Sequence, residues 1–307
     1  MAERHDSGMA AIGCMVASTT CFSLSGFFGL QAVSVLGDWP VVFARFAIPL
    51  TVLGLGLGRG IRETIRDIHG VQLLRSVALV ASQALFLETA SRSGLFLAIV
   101  LYNTGPLFIV LIESIHRRQA PSQLALLGVA LGFMGVGTIH AGLPAGAAHA
   151  LMLGVSSGFC FAVSQFTLYL GARHRDHKVV LVQTFLWCAI LACIPCLHAA
   201  TPAWADVDAS MRTRLVIALV LAGVFSLGNQ WFRGLAYRRA TNVSSLAPLL
   251  YFGAVVSACL DAISTRKAPL PTACLGTLLI VSGALIPGWR QSLLPLLGVI
   301  KRATLRT

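Results

Sequence analysis

The sequence predicts an all-α integral membrane protein, with ten transmembrane helices arranged as two inverted five-helix repeats. Three observations predict it. The first is composition: of 307 residues, 56% are hydrophobic and only 11% charged, and the mean hydropathy is +0.81. A soluble domain carries about 25% charged residues, and this chain has too little polar surface to cover so apolar an interior. The second is that the apolar residues fall in runs of helix-spanning length, about 20 residues each. The third is a motif that recurs in the two halves. Arg118-x-Ala120-Pro121, Leu127-Gly128 and Gly135 reappear 148 residues later as Arg266-x-Ala268-Pro269, Leu275-Gly276 and Gly283.

Hydropathy places the spans at 9–32, 39–58, 72–91, 94–113, 123–141, 149–170, 179–198, 215–237, 242–261 and 272–288. The first repeat covers 9–141 and the second 149–288. Residues 1–8 form a polar head. The run after it exceeds a signal-peptide core and lacks a small-residue cleavage pattern, so it reads as a retained first span. The tail 289–307 mixes Leu with Lys and Arg, and either lies along the interface or stays disordered. Alternating outer-membrane barrel segments are absent.

Lys and Arg set the orientation. With the N-terminus inside, the inner segments hold 16 of them: Arg4, Arg59, Arg62, Arg66, Arg75, Arg117, Arg118, Arg173, Arg175, Lys178, Arg238, Arg239, Arg290, Lys301, Arg302 and Arg306. The outer segments hold 5: Arg92, Arg212, Arg214, Arg266 and Lys267. Both termini are therefore expected in the cytoplasm, in a bacterial inner membrane. Five spans per half is an odd number, so the second copy enters the bilayer upside down. Inverted repeats with a site between them are a transporter design. The net charge of +12 belongs to these loops, and nucleic acid is not an expected partner.

The eight cysteines, Cys14, Cys21, Cys160, Cys188, Cys193, Cys196, Cys259 and Cys274, lie in apolar runs without metal-site spacing. No metal or cofactor is expected. A Walker loop is absent, so ATP hydrolysis is not expected either. His174-Arg175-Asp176 and the glycosylation triplet Asn242-Val243-Ser244 read as accidents of loop sequence.

The most informative stretch is Gly94 to Glu113. Its middle carries Tyr102, Asn103, Thr104, Gly105 and Pro106. Proline lacks a backbone donor and clashes with the preceding turn, so a kink is expected at Pro106. The run from Asn242 to Asp261 has a similar plan, with a kink expected at Pro248, then Tyr251 and Gly253. In lipid, such breaks are tolerated where they face protein or a wet cavity.

The order and spacing of several short motifs resemble those of the ten-span EamA-type transporters of the drug/metabolite transporter superfamily. They are Trp39-Pro40 with Arg45, Tyr102-Asn103-Thr104-Gly105-Pro106-Leu107, Gly128 with Gly135, Ala247-Pro248-Leu249-Leu250-Tyr251, and Gly276 with Gly283, spread over about residues 10–288. Gln119 and Lys267 depart from the pattern, because the family usually has an acidic residue at those turns. The resemblance implies a bundle whose third, fourth, eighth and ninth spans line a central cavity. It also implies alternating access and small organic substrates.

Candidate substrate-binding residues follow from polarity at depth. Arg45 lies about 9 Å below the outer surface at 1.5 Å per residue, and Glu88 lies at similar depth. Charges there should face the interior or pair. Either Arg45 holds a substrate carboxylate and Glu88 an ammonium or a proton, or the two form an ion pair between neighbouring spans, or Glu88 simply reaches the interface. Arg233 sits beside Asn229, Gln230 and Trp231; it either snorkels to the inner surface or forms part of a cationic wall. Tyr102, Asn103 and Tyr251 are deepest and need partners, either a substrate or a neighbouring helix. Gln83, Gln165 and Gln183 add neutral groups in three further spans. Glu113 and Asp261 are expected at the interface.

The expected function is secondary transport, as export of a small polar amino-acid-derived metabolite: an amino acid or an opine or nicotianamine-like metallophore. A proton or substrate gradient would drive it, and the protein would be a monomer or homodimer. Uptake of a vitamin or nucleoside-like compound is the alternative. A membrane-embedded enzyme would need paired acids or a metal cluster, and the loop acids form no such set. A non-transporting partner protein would have no use for an inverted repeat.

Overall fold

A computed structural model describes residues 2–57, 70–142, 148–171, 177–199, 207–239, 247–266, 270–283 and 285. The loop arginines 59, 62, 66, 173 and 175, His174-Arg175-Asp176, Asn242-Val243-Ser244, Lys267 and the tail 289–307 fall outside them. The described residues are helical, without a strand. The helices are α1 Ala2–Leu36, α2 Asp38–Leu57, α3 Gly70–Ser93, α4 Leu95–Tyr102, α5 Gly105–Arg117, α6 Gln123–Ala141, α7 Ala148–Gly171, α8 His177–His198, α9 Ala209–Arg239, α10 Ala247–Leu250, α11 Phe252–Thr265 and α12 Pro271–Gly283. Eight helical segments, counting Leu95–His116 as one, are long and apolar enough to cross a membrane. Helices α11 and α12 are apolar but shorter. The chain is thus a multi-pass helical membrane protein. Its outer face agrees, since Leu55, Leu197, Ile115 and Ile263 are 76–88% exposed, as side chains in contact with lipid would be.

Local chemistry explains the helix ends. Gly37 (φ 76°) separates α1 from α2, and Gly94 (φ 87°) separates α3 from α4. Both backbones are left-handed, where a Cβ is strained. The Ser122 hydroxyl accepts from the Ala125 amide at 3.2 Å and caps α6. Asp208 accepts from the Ser210 hydroxyl and amide (2.5 and 3.0 Å) at the start of α9, and these bonds hold its carboxyl below the usual range. Helices α5 and α11 end alike: Arg118 (φ 51°) and Arg266 (φ 56°) are both left-handed.

The kinks arise differently from the expectation. Pro106 does not bend a continuous helix. The chain breaks before it, at Asn103 and Thr104, and Pro106 occupies the first turn of α5, where its missing donor costs nothing because that amide would be unpaired anyway. The second break falls at Tyr251, three residues after Pro248, between α10 and α11. Pro49 and Pro195, by contrast, lie within continuous helices.

Small and hydroxylated side chains set the packing, as expected where lipid removes the hydrophobic drive between helices. Helix α1 packs along α9, and α3 along α7. Ser18 donates to the backbone and side-chain oxygens of Asn229 (both 2.9 Å), and Ser25 to the Ala222 carbonyl (2.7 Å). Ser82 and Ser157 each donate to the other's carbonyl (2.9 and 2.8 Å). Helices α6 and α12 touch backbone to backbone. A Cβ on Gly135 would lie 2.5 Å from the Gly276 carbonyl, and one on Gly276 would lie 2.5 Å from the Gly135 carbonyl. One on Gly283 would strike the Gly128 carbonyl and come within 2.7 Å of the Gly132 nitrogen. The two motif glycines of one half thus meet those of the other in crossed order.

Gly135→Leu or Gly276→Leu should push α6 and α12 apart and destabilise the fold by about 1–3 kcal/mol or more. Gly137 faces open space, so Gly137→Leu should stay within about 0.5 kcal/mol. Thermal unfolding of the detergent-solubilised variants, followed by size-exclusion chromatography, measures the contrast.

Candidate functional site

The break after α4 places Tyr102 at the centre of the bundle. Its ring is 1% exposed. It stacks on Phe22 of α1 at 4.6 Å between centroids and lies 4.3 Å from Phe161 of α7, with Phe86 of α3 at 5.7 Å. Two buried arginines approach this aromatic cluster. The guanidinium carbon of Arg45, on α2, is 6.0 Å from the Phe22 ring centroid and 5.7 Å from that of Phe86. That of Arg233, on α9, is 5.2 Å from Phe161. These are cation–π distances. Both guanidinium groups lie within electrostatic reach of the Tyr102 hydroxyl.

Arg45 and Arg233 are each 1% exposed, and in both, Nε and Nη1 have no hydrogen-bond partner. A third arginine, Arg75 of α3, is also buried. Its Nη1 donates to the Thr184 hydroxyl at 2.9 Å, while its Nε is unpartnered. Arg75 lies within electrostatic reach of Arg233 and Tyr237. The Tyr237 hydroxyl donates to Gln165 Oε1 at 3.1 Å, and Gln165 Nε2 has no partner. Among the described residues none of the three arginines forms an ion pair, whereas Glu88 pairs with Arg92 one turn away. A buried cation left without a counter-charge is costly, and an anion able to accept from several N–H groups would offset that cost.

Several expectations need correction. Glu88 does not pair with Arg45; it is bound to Arg92 at the exposed end of α3, where local helix spacing brings the two together. Arg75, grouped above with the inner loop residues, is inside α3 and buried, as its apolar neighbours Leu74 and Val77 could have indicated. Asp261 is not simply interfacial. It accepts from the Phe96 amide at 2.7 Å and so caps α4.

The remaining candidates sort by partner. Asn103 Nδ2 donates to the Leu250 carbonyl at 3.2 Å, and the Tyr251 hydroxyl donates to the Asn103 carbonyl at 2.9 Å. These residues therefore tie the two chain breaks to each other. Gln83 Nε2 is 3.5 Å from the Tyr102 hydroxyl, at the limit of a hydrogen bond. Gln230 is buried on α9 beside Arg233 and does not snorkel to a surface; neither does Arg233. Helices α3, α4 and α9, from the third, fourth and eighth spans, meet α1, α2 and α7 at the aromatic cluster.

No family model matches the chain, and no curated protein matches it significantly. Among solved structures, a crystal structure described only as that of a protein is similar with a TM-score of 0.59 at 18% identity. The similarity covers 92% of this chain and 96% of that one, so the two share a fold over nearly their whole lengths.

Tyr251→Phe keeps the ring and removes the bond to Asn103. It should cost about 1–3 kcal/mol, because the carbonyl at the break is left unsatisfied in an apolar setting. Phe96→Ala leaves the Asp261 cap intact, since the amide is retained, and provides a packing control. Thermal melts of the purified proteins distinguish the two.

Proposed function

We propose that this protein is an EamA-type secondary transporter of the inner membrane, with both termini in the cytoplasm, which exports a small polar amino-acid-derived metabolite bearing carboxylates by alternating access. In this reading the chain forms ten spans in two inverted repeats. The crossed contacts of Gly135 with Gly276 and of Gly128 with Gly283 support it, as do the matching left-handed ends at Arg118 and Arg266. The breaks at Asn103 and Tyr251, also 148 residues apart, support it further. A two-fold relation makes such contacts reciprocal.

The observation that carries the proposal is the pair Arg45 and Arg233. Each is buried with unpartnered Nε and Nη1 beside the central break. Cations held in a membrane interior mark a substrate path more often than a scaffold, and broken helices at the interface of two repeats are where transporters place their sites. Both guanidinium groups are closed off in this conformation, as an occluded state of alternating access requires. A proton gradient or the gradient of the metabolite drives export.

Untargeted mass spectrometry of medium and cell extract, with the gene present, deleted or carrying Arg233→Gln, tests this. The expected result is one carboxylate-bearing compound that accumulates inside the deletion strain and disappears from its medium. Arg233→Gln should reduce its export at least about tenfold, the effect of losing a charged hydrogen-bonding group. Tyr102→Ala should also lower flux while the protein remains in the membrane. A compound that stays in the medium while cells are starved of it would reverse the direction, and an unchanged metabolite profile would reject transport.

A further inference from the structure

Resting on that transport reading, we infer that the occupant of the central site is an organic dianion, with one acidic group held by Arg45 and the other by Arg233 and Arg75. The cations approach different rings of the aromatic cluster. Arg45 faces Phe22 and Phe86, and Arg233 faces Phe161, with the Tyr102 ring packed against both Phe22 and Phe161. Three buried cations without a counter-charge call for more than one negative charge. A molecule with two acidic groups supplies it and can accept from both arginines.

The surroundings of Arg233 are the more strongly cationic. Arg75 and Arg233 are within electrostatic reach of each other, so each raises the cost of burying the other. An anion between them relieves that repulsion and can accept from Nε of both, atoms that have no other partner. Gln165 Nε2, also without a partner, adds a neutral donor on the helix that carries Phe161. An ammonium finds no counterpart here. The nearest acid that the sequence offered for it, Glu88, is engaged with Arg92 and 31% exposed. Among the described residues, buried acids are lacking around the three arginines, whereas a zwitterion would need one. The same chemistry rejects organic cations by leaving like charges adjacent.

The test is thermal unfolding of the full purified chain in detergent, with succinate, glutarate or adipate as dianionic probes, butyrate as a monoanion and putrescine as a dication. Binding to the folded state raises the melting temperature by mass action, by about 3 °C or more at ligand well above Kd. At least one of the dicarboxylates should do so, and butyrate and putrescine should not. Arg45→Gln and Arg233→Gln should abolish the shift. They should leave the unliganded protein at least as stable as wild type, because each removes an unpaired buried charge.

Equal shifts with butyrate, or no shift with any dicarboxylate, would overturn the inference. So would a large loss of unliganded stability in Arg45→Gln, since that would make the arginine a structural element. The metabolite experiment separates this inference from the transport reading. A gene-dependent compound with one acidic group or none sinks the dianion and leaves transport standing, whereas the lack of any such compound removes both.

Discussion

In an apolar surrounding, a backbone carbonyl or amide freed from a helix must find another partner, because water is not there to supply one. The chain interrupts two of its helices in the middle of the bundle, and the freed groups are satisfied across the gap between them. Asn103 reaches the Leu250 carbonyl, and Tyr251 reaches the Asn103 carbonyl. The rest of the centre depends on that mutual arrangement. It brings the end of α4 against the start of α11, and it holds Tyr102 at a fixed position among Phe22, Phe86 and Phe161. Asp261 strengthens the same junction from its far end by capping the amides that open α4.

Around this junction the protein uses two kinds of contact. Hydroxyl-to-carbonyl bonds align long helices, as at Ser82 with Ser157 and Ser25 with Ala222. Each closes without bringing a charge into the interior. Glycine contacts let α6 and α12 approach until their backbones touch. The arginines do not fit either pattern. Arg45, Arg75 and Arg233 add positive charge to the interior with few bonds to offset it. Stability alone would favour apolar residues of similar size in their place. Their presence beside a helix break is the feature that the scaffold cannot account for by itself.

Much of the fold was legible in the sequence. Hydropathy located the long helices, since a span announces itself by length and composition. The recurrence after 148 residues singled out the glycines that touch and the arginines that end α5 and α11. Composition and spacing said less about local geometry. Pro106 marked the region of a break, but a proline is equally content in a first helical turn, so the break itself fell at Asn103 and Thr104. Glu88 could be placed near Arg45 in depth but not in azimuth, and its nearest cation proved to be one turn away on its own helix.

The sequence by itself determined that this chain is a helical membrane protein, which residues are polar within apolar runs, and where its small residues recur. Those properties follow from transfer free energies and from the period of the helix, both of which are local. Tertiary structure decided which polar residues consume one another and which remain unpaired. Asn103 and Tyr251 are partnered, Arg45 and Arg233 keep Nε and Nη1 unpartnered, and Arg75 joins the centre from a helix end that was grouped with the inner segments. That difference depends on how helices distant in sequence rotate and cross, and the rotation is set by glycine and serine contacts between segments 75 to 197 residues apart.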